Sequence, residues 1–571
     1  MFKPDALFSL DSYKLGHRTM YPEGTEVIYS NFTPRNDKHS PIPDEYNDHK
    51  LVWVGLQGTI VELHDLWGDT FFMVDREEVV SQYKKRVKPF TGEEDPYVKH
   101  IEDLHDLGHL PIIIKSLPEG AVVPMGVPVF TIVNTDPRFF WLTNYLETHL
   151  SAESWHIPTI ATIARAYRKV LEKYAEETGS PKTFVDWQAH DFSLRGLSGA
   201  IQGAKLGMGH LTSFLGSDNV AAVDWLEYMY EGHKTFVAGS VPASEHSVMC
   251  AGGIDGEFET FERILDVYPT GVVSIVADSF DFYTAITEFA TKLKPKIMAR
   301  KPNSLGLCKT VFRPDSCPKG QTPADIICGV PTTDHSFEKT LKDATWEEYV
   351  RIVSNIGVSG PNSTGPQGVS SIFLYKDKHY EFSTTLAWRK GGFYSAEDEL
   401  AVREIQLTPA QKGAVQCLWE IFGGTTTEKG YKVLDEHVGL IYGDSITLGL
   451  TDEIMRRLRD KGFASCNVVL GVGSYTYVYN TRDVFGFAMK ATYAQVKGEG
   501  RAIFKAPKTD PGKNSAKGLL RVEYENGKYV LYDNQTLEQE ATGELRVVYD
   551  NGEFSGITSL AEIRERIRSQ S

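Results

Sequence analysis

Between residues 184 and 474, short apolar runs end one after another in a small polar cluster, and a helix-like segment usually follows. They read FVDWQAHDFSLRG (184–196), SFLGSDN (213–219), FVAGSVPASEHS (236–247), VVSIVADSFD (272–281), TVFRPDS (310–316), VGLIYGDS (438–445) and NVVLGVGS (467–474), with FAMKATY (487–493) as a possible eighth. A strand apolar on both faces is one buried on both faces, as in a parallel sheet covered by helices. Seven or eight such units predict an α/β chain folded as a (β/α) barrel. In that fold the polar clusters share one face. His190, Asp191, Arg195, Asp218, His246, Asp278, Arg313, Asp315, Asp444 and the glycine loop at 471–473 are therefore expected to converge.

The flanks read differently. Residues 1–150 mix a strand (25–32), an apolar helix (51–67), a β-branched run (109–118) and a helix at 139–150, and a second helix follows at 160–177. They predict an N-terminal α+β segment. The barrel is expected over 151–505. It carries an insertion at about 317–409, because the stretch between Arg313 and Asp444 far exceeds one connecting helix. Residues 506–571 hold Asn-Gly turns between alternating runs, which predict hairpins packing with the N-terminal segment, and Ser559 is placed to cap a last helix.

Composition excludes some partners. A net charge of −16 argues against nucleic acid. No apolar run reaches the ~18 residues that span a bilayer, so no membrane partner is expected. The first residues, MFKPDALFSLDSYKLGH, do not resemble a secretory signal, and six cysteines without a CxxC pair fit a reducing, cytoplasmic setting. With no HExxH, a structural zinc site is not expected.

The strand-end residues have a joint chemistry. Aspartates suit ribose hydroxyls and magnesium, arginine and lysine suit phosphates, and glycine turns let bare amides approach phosphate oxygens. This mixture points to a phosphorylated sugar substrate.

Ten segments then carry a resemblance. DSYKLGH (11–17), GHLPIIIKSLPEG (108–120), NTDP with WLTNYLET (134–148), HDFSLRG (190–196), GSD (216–218), SVPASEHS (240–247), DSFD (278–281), RPDS (313–316), GDS (443–445) and TRD (481–483) resemble the nicotinate/nicotinamide family of type II phosphoribosyltransferases, in family order. The resemblance implies the type II barrel with an α+β domain built from both terminal segments. It implies transfer of phosphoribose from phosphoribosyl pyrophosphate to nicotinamide, giving nicotinamide mononucleotide and pyrophosphate, in NAD salvage. Mg2+ and ATP, the latter as a coupling substrate, are implied too, as is a homodimer with shared active sites.

The same resemblance gives the roles. Phe192 and a second subunit's Tyr13 would stack on the pyridine ring; Asp218 would accept from the carboxamide and repel nicotinic acid, with Ser240 nearby. Arg195, Arg313 and Asp315 would hold ribose and phosphate, and Gly443, Asp444, Gly473 and Ser474 would line the ribose 5′-phosphate site. Arg35, Arg482, Lys490 and Lys505, from the neighbouring subunit, would clamp pyrophosphate or the ATP phosphates. His246 would be phosphorylated by ATP, oriented by Glu245 or Asp278, and Asp278 would also help place magnesium. Two departures stand out: Cys317 follows RPDS where glycine is usual, and the loop LGVGSY has Ser474 and Tyr475 where more glycine is usual. The alternatives are a nicotinate phosphoribosyltransferase of the same fold, a non-catalytic binding or signalling protein, and an unrelated phosphosugar barrel enzyme.

Overall fold

The computed structural model describes residues 4–359, 367–389, 392–394, 400–443, 445–504 and 516–570. The chain forms two compact units: residues 1–172, 185–240 and 471–571 make the first, and 173–184 with 241–470 make the second.

The first unit holds an antiparallel sheet assembled from both ends of the chain. Its order is Glu499–Ala502, Ala488–Val496, Thr25–Thr33, Phe130–Asn134, Ile112–Ser116, Arg546–Asp550 and Glu553–Phe554. Phe32 lies at its centre, stacked at 5.1 Å on Phe130 and 5.2 Å on Phe487. This is the predicted terminal α+β layer. The Asn-Gly turns fold as read: Asn526 and Gly527, and Asn551 and Gly552, all take the positive φ that a tight hairpin turn requires. Ser559 caps the last helix, Leu560–Ser569, in a capping box with Glu562.

Parallel strands occupy both units, each followed by a helix. In the first unit Ala189–Asp191 pairs with Gly216–Ser217, Gly216 bridges to Gly239, and the Phe192 amide donates to the Val472 carbonyl at 3.0 Å. In the second, Ala243 bridges to Ser274, Val273 pairs with Thr310, Thr310 with Val438, and Leu440 with Val468. Strands Val273–Val276 and Val438–Tyr442 are buried along their whole length, as their near-continuous apolar sequence demands. Successive parallel strands with intervening helices are the (β/α) barrel pattern expected from the sequence.

Three local expectations fail. Residues 51–53 form the strand Lys50–Trp53 rather than helix, because Gly55 in the left-handed region (φ 101°) separates it from the helix Leu56–Trp67. FVDW closes the helix Lys182–Gln188, and the strand is only Ala189–Asp191. FAMKATY joins the antiparallel sheet, pairing with Thr25–Thr33, and is not a parallel unit.

The expected insertion is a folded module of the second unit. Thr332–Asp334, Gln367–Tyr375, Lys378–Arg389, Gly392–Tyr394 and Ala401–Ile405 form its sheet. The helix Leu341–Ser359 contributes Ala344 and Ile352 to a core with Phe373, Tyr375, Phe382 and Leu386. Its two ends meet. The Val330 amide donates to the Gln411 carbonyl at 3.1 Å, and a Cβ on Gly413 would lie 2.1 Å from the Gly329 nitrogen.

Candidate active site

In the first unit, residues following two parallel strands meet around Asp218. Asp191 ends the first strand fully buried, and its carboxylate accepts from the Ser193 amide (2.9 Å) and the Ser217 hydroxyl (3.2 Å). The Asp218 amide donates to the Asp191 carbonyl at 3.0 Å. One oxygen of the Asp218 carboxylate then contacts His190 Nε2 at 2.9 Å and accepts from the Ser240 hydroxyl. The cap of the following helix, Val220–Met229, is Asn219, whose side chain takes the Ala222 amide. Asp218 is thus not spent on capping, and its side chain is 43% exposed. Phe192, half-buried, lies against His190 with ring centroids 4.6 Å apart.

Besides the Asn219 cap, two features that set this geometry were missed in the sequence. Gly216 sits under the imidazole of His190; a Cβ there would lie 2.8 Å from Nδ1. His210 is fully buried behind the same strand, with Nε2 3.1 Å from the Gly216 carbonyl and Nδ1 2.6 Å from the Tyr477 hydroxyl. A carbonyl only accepts, so Nε2 carries the proton and Nδ1 accepts from Tyr477. Burial pushes His210 down to about 4, so it is neutral at pH 7 and holds the strand through one fixed tautomer. For Asn219, the signal was the Asp-Asn pair opening a helix.

Arg195, Gly473 and Ser474 also come together in this unit. A Cβ on Gly196 would lie 2.1 Å from Ser474 Oγ, so the turn carrying the exposed Arg195 rests directly on the glycine loop. Arg35, Arg482 and Lys490 lie on or beside the two paired strands 25–33 and 488–496 and the turn that leads into the second. Arg35 Nε donates to the Gly486 carbonyl at 2.6 Å, the Phe487 amide closes onto the Arg482 carbonyl, and Lys490 pairs with Asn31. All three side chains are exposed. Tyr13 is 58% exposed and lies beside His17. Lys505 and Asp444 lie outside the described residues.

The second unit assembles a carboxylate–histidine group. Asp278 follows strand Val273–Val276 with its side chain only 4% exposed. One oxygen accepts from the Asp315 and Ser316 amides at 3.0 and 2.7 Å. The other lies 3.3 Å from Nε2 of the half-exposed His246, outside hydrogen-bond geometry. Of the two residues expected to orient His246, Asp278 is the neighbour; Glu245 instead accepts from the Ser247 hydroxyl. Arg313 donates through Nη2 to the Ser244 carbonyl at 2.6 Å and has Nε 3.7 Å from Asp315. Gly443 closes on this pair: a Cβ there would lie 1.9 Å from Asp315 Oδ1.

Carboxylates, guanidinium groups and glycine-opened backbone at the ends of parallel strands define a class, a (β/α) enzyme handling a phosphorylated sugar. The family model described as "Nicotinate phosphoribosyltransferase (NAPRTase) family" matches residues 187–353 and 400–553. This chain belongs to that family. It is 46% identical, over 100% of its own length and 98% of the relative's, to a nicotinamide phosphoribosyltransferase of Acinetobacter baylyi. It is 28% identical to that of Mycoplasma pneumoniae, over 90% of this chain and 94% of the relative. A solved structure of human nicotinic acid phosphoribosyltransferase aligns over 98% of this chain and 93% of its own, at 13% identity and a TM-score of 0.47. Among the described residues no helix is long and apolar enough to cross a membrane.

Proposed function

We propose that this chain transfers phosphoribose from phosphoribosyl pyrophosphate to the ring nitrogen of nicotinamide, releasing pyrophosphate, as a step of NAD salvage. The full-length identity of 46% to a relative bearing that activity in its name carries the reading. The residues around Asp218 support it physically. A partly exposed carboxylate beside an aromatic ring accepts an N–H of a carboxamide and repels a carboxylate, which is discrimination by an unfavourable contact.

In the reaction, Phe192 packs on one face of the pyridine and Asp218 with Ser240 turns the carboxamide so that the ring nitrogen faces the ribose C1. The C1–oxygen bond to pyrophosphate breaks as the nitrogen–C1 bond forms, through an oxocarbenium-like state. Positioning and stabilisation of the departing charge are therefore the protein's main contributions. Arg195 with Gly473 and Ser474 in the first unit, and Arg313 and Asp315 with Gly443 in the second, are each assigned to the phosphoribosyl group, and Asp444 takes the same role by the family motif. Arg35, Arg482, Lys490 and Lys505 receive pyrophosphate. Tyr13 completes the ring stack from a second subunit of a homodimer, and the setting is cytoplasmic.

Magnesium, entering mainly on the pyrophosphate, would neutralise the leaving group. The residues fit it: one buried oxygen of Asp278 has no hydrogen-bond partner, and the Asp315 carboxylate adds a second hard oxygen donor. ATP couples to the reaction at His246. With Nε2 facing Asp278, Nδ1 attacks the γ-phosphorus, the bond to the ADP oxygen breaks, and water later releases phosphate.

The test is a mass-spectrometric product assay with Mg2+, phosphoribosyl pyrophosphate and equal nicotinamide and nicotinic acid, with and without ATP. Amide mononucleotide alone supports the reading, and an ATP-dependent rise lost in His246→Ala supports the coupling. Acid mononucleotide transfers the assignment to the nicotinate enzyme, and no product leaves a binding protein. For the dimer, specific activity measured on dilution is expected to fall once the protein is monomeric; a constant specific activity there rejects shared sites.

A further inference from the structure

The opposite ends of the parallel strands carry a second group of ligating side chains. Cys308 Sγ, a carboxylate oxygen of Glu436 and a ring nitrogen of His437 all lie within 4.8 Å of one another. Strand register produces the cluster. Thr310 pairs with Val438, so Cys308 and Glu436, each two residues earlier, come out side by side. The Thr310 amide donates to the His437 carbonyl at 2.7 Å and fixes the approach. The stretch before Cys308 is anchored from behind by Arg300, a buried residue that donates to the carbonyls of Cys308 (3.2 Å), Gly271 (2.8 Å) and Tyr268.

The histidine is prepared for a metal in a particular way. Its Nδ1 lies 2.7 Å from the Asp435 carboxylate, which also accepts the His437 amide at 3.0 Å. A carboxylate only accepts, so the ring proton sits on Nδ1 and the lone pair is on Nε2. Metal-ligating histidines are oriented by this kind of carboxylate contact. Cys308 is buried and free of any disulfide. Thiolate, imidazole and carboxylate together suit zinc, which takes S, N and O donors tetrahedrally. Such an ion holds its donors about 3.3–3.8 Å apart, against the 4.8 Å within which these donors lie.

We propose that Cys308, Glu436 and His437 bind a zinc-type divalent cation, with Asp435 positioning the histidine and water completing the shell. The site lies at the N-terminal ends of strands Thr310–Arg313 and Val438–Tyr442, whereas Arg313 and Gly443 lie at their C-terminal ends. In this fold turnover belongs to the C-terminal face, and the N-terminal face serves stability. The cation would therefore clip two strand starts together and take no part in phosphoribosyl transfer.

The experiment titrates chelator-treated, full-length protein with Co2+ alone, then Zn2+ alone, without nicotinamide or phosphoribosyl pyrophosphate. A thiolate-to-cobalt absorption band saturating at one equivalent and displaced by Zn2+ is expected, with a rise of a few degrees in Tm at a hundredfold excess over Kd. Cys308→Ser should lose the band, His437→Gln should bind at least tenfold more weakly, and Asp435→Asn should weaken binding about 10–100-fold. The exposed Cys250, changed to Ser, should alter nothing. If Cys308→Ser proves unstable, His437→Gln with circular dichroism and Tm measured in the absence of metal reads the same site. No band in the native protein, or a band retained in Cys308→Ser, overturns the proposal.

Discussion

Replacing Asp218 by Asn tests the base pocket with almost no change of shape. The amide oxygen of Asn can still accept from His190 and Ser240, the two side chains that contact Asp218 at one oxygen. What changes is charge. A hydrogen bond from a carboxamide to a carboxylate contributes about 1.5–3 kcal/mol, against about 1 kcal/mol to a neutral acceptor. Losing the difference should lower kcat/KM for nicotinamide by about tenfold. For nicotinic acid, two carboxylates about 4 Å apart repel by about 4 kcal/mol at an effective dielectric of 20. With the Asp218 side chain 43% exposed, solvent and salt screen roughly half of that. Relief of about 2 kcal/mol raises kcat/KM for the acid by about thirtyfold. The amide-to-acid preference should therefore fall by some 10²–10³. Competing the two bases at equal concentration and counting the mononucleotides by mass gives the ratio directly. A ratio unchanged within twofold, in a variant with native Tm, would refute the assignment of Asp218 as the discriminating group.

Three further outcomes follow from the packing and titration described above. Gly443→Ala places a methyl 1.9 Å from Asp315 Oδ1, so KM for phosphoribosyl pyrophosphate should rise at least tenfold while melting falls only slightly; unaltered kinetics would show that the loop yields. Gly196→Ala collides with Ser474 at 2.1 Å and should cost about 1–3 kcal/mol, read by urea titration and partly relieved by adding Ser474→Gly; no relief in the double variant would reject the contact. His210, depressed by burial to about 4, binds fewer protons folded than unfolded. Stability is then complete above about pH 6.5 and lost as pH falls toward 4, with His210 contributing on the order of 3 kcal/mol of that loss. His210→Gln, which keeps polar atoms for Tyr477 and Gly216, should flatten this decline in denaturation curves measured from pH 7 to 4, and an unchanged slope would contradict it.

Much of this was legible because parallel strands write themselves plainly. VVSIVAD and VGLIYGDS are almost wholly apolar, broken inside the strands only by Ser274 and Gly439, and their charged residues appear only where the strand leaves its layer. His190, Asp218, Asp278 and Asp315 could be found that way. Strand ends under competing local forces were harder. FVDW has the composition of a strand but closes a helix, since one apolar face satisfies either period over four residues. FAMKATY looked like a parallel unit because pairing direction leaves no trace in composition. His210 and the Cys308–Glu436–His437 group were invisible for another reason. Burial against Tyr477, or strand register between distant segments, brings them into contact, and neither is a property of local sequence.

The pinch between Gly329 and Gly413 gives the 330–412 module the character of a cassette. It leaves and re-enters the chain through one neck, where two glycines touch backbone to backbone, and inside it carries its own apolar centre around Phe373 and Phe382. A segment built in this way can be acquired or shed in a single genetic event, because the helices on either side, Pro323–Cys328 and Ala414–Phe422, already meet at the neck. For an engineer it marks the natural point of entry: a short bridge across the neck, or a foreign domain spliced into it, needs no adjustment of the neighbouring helices.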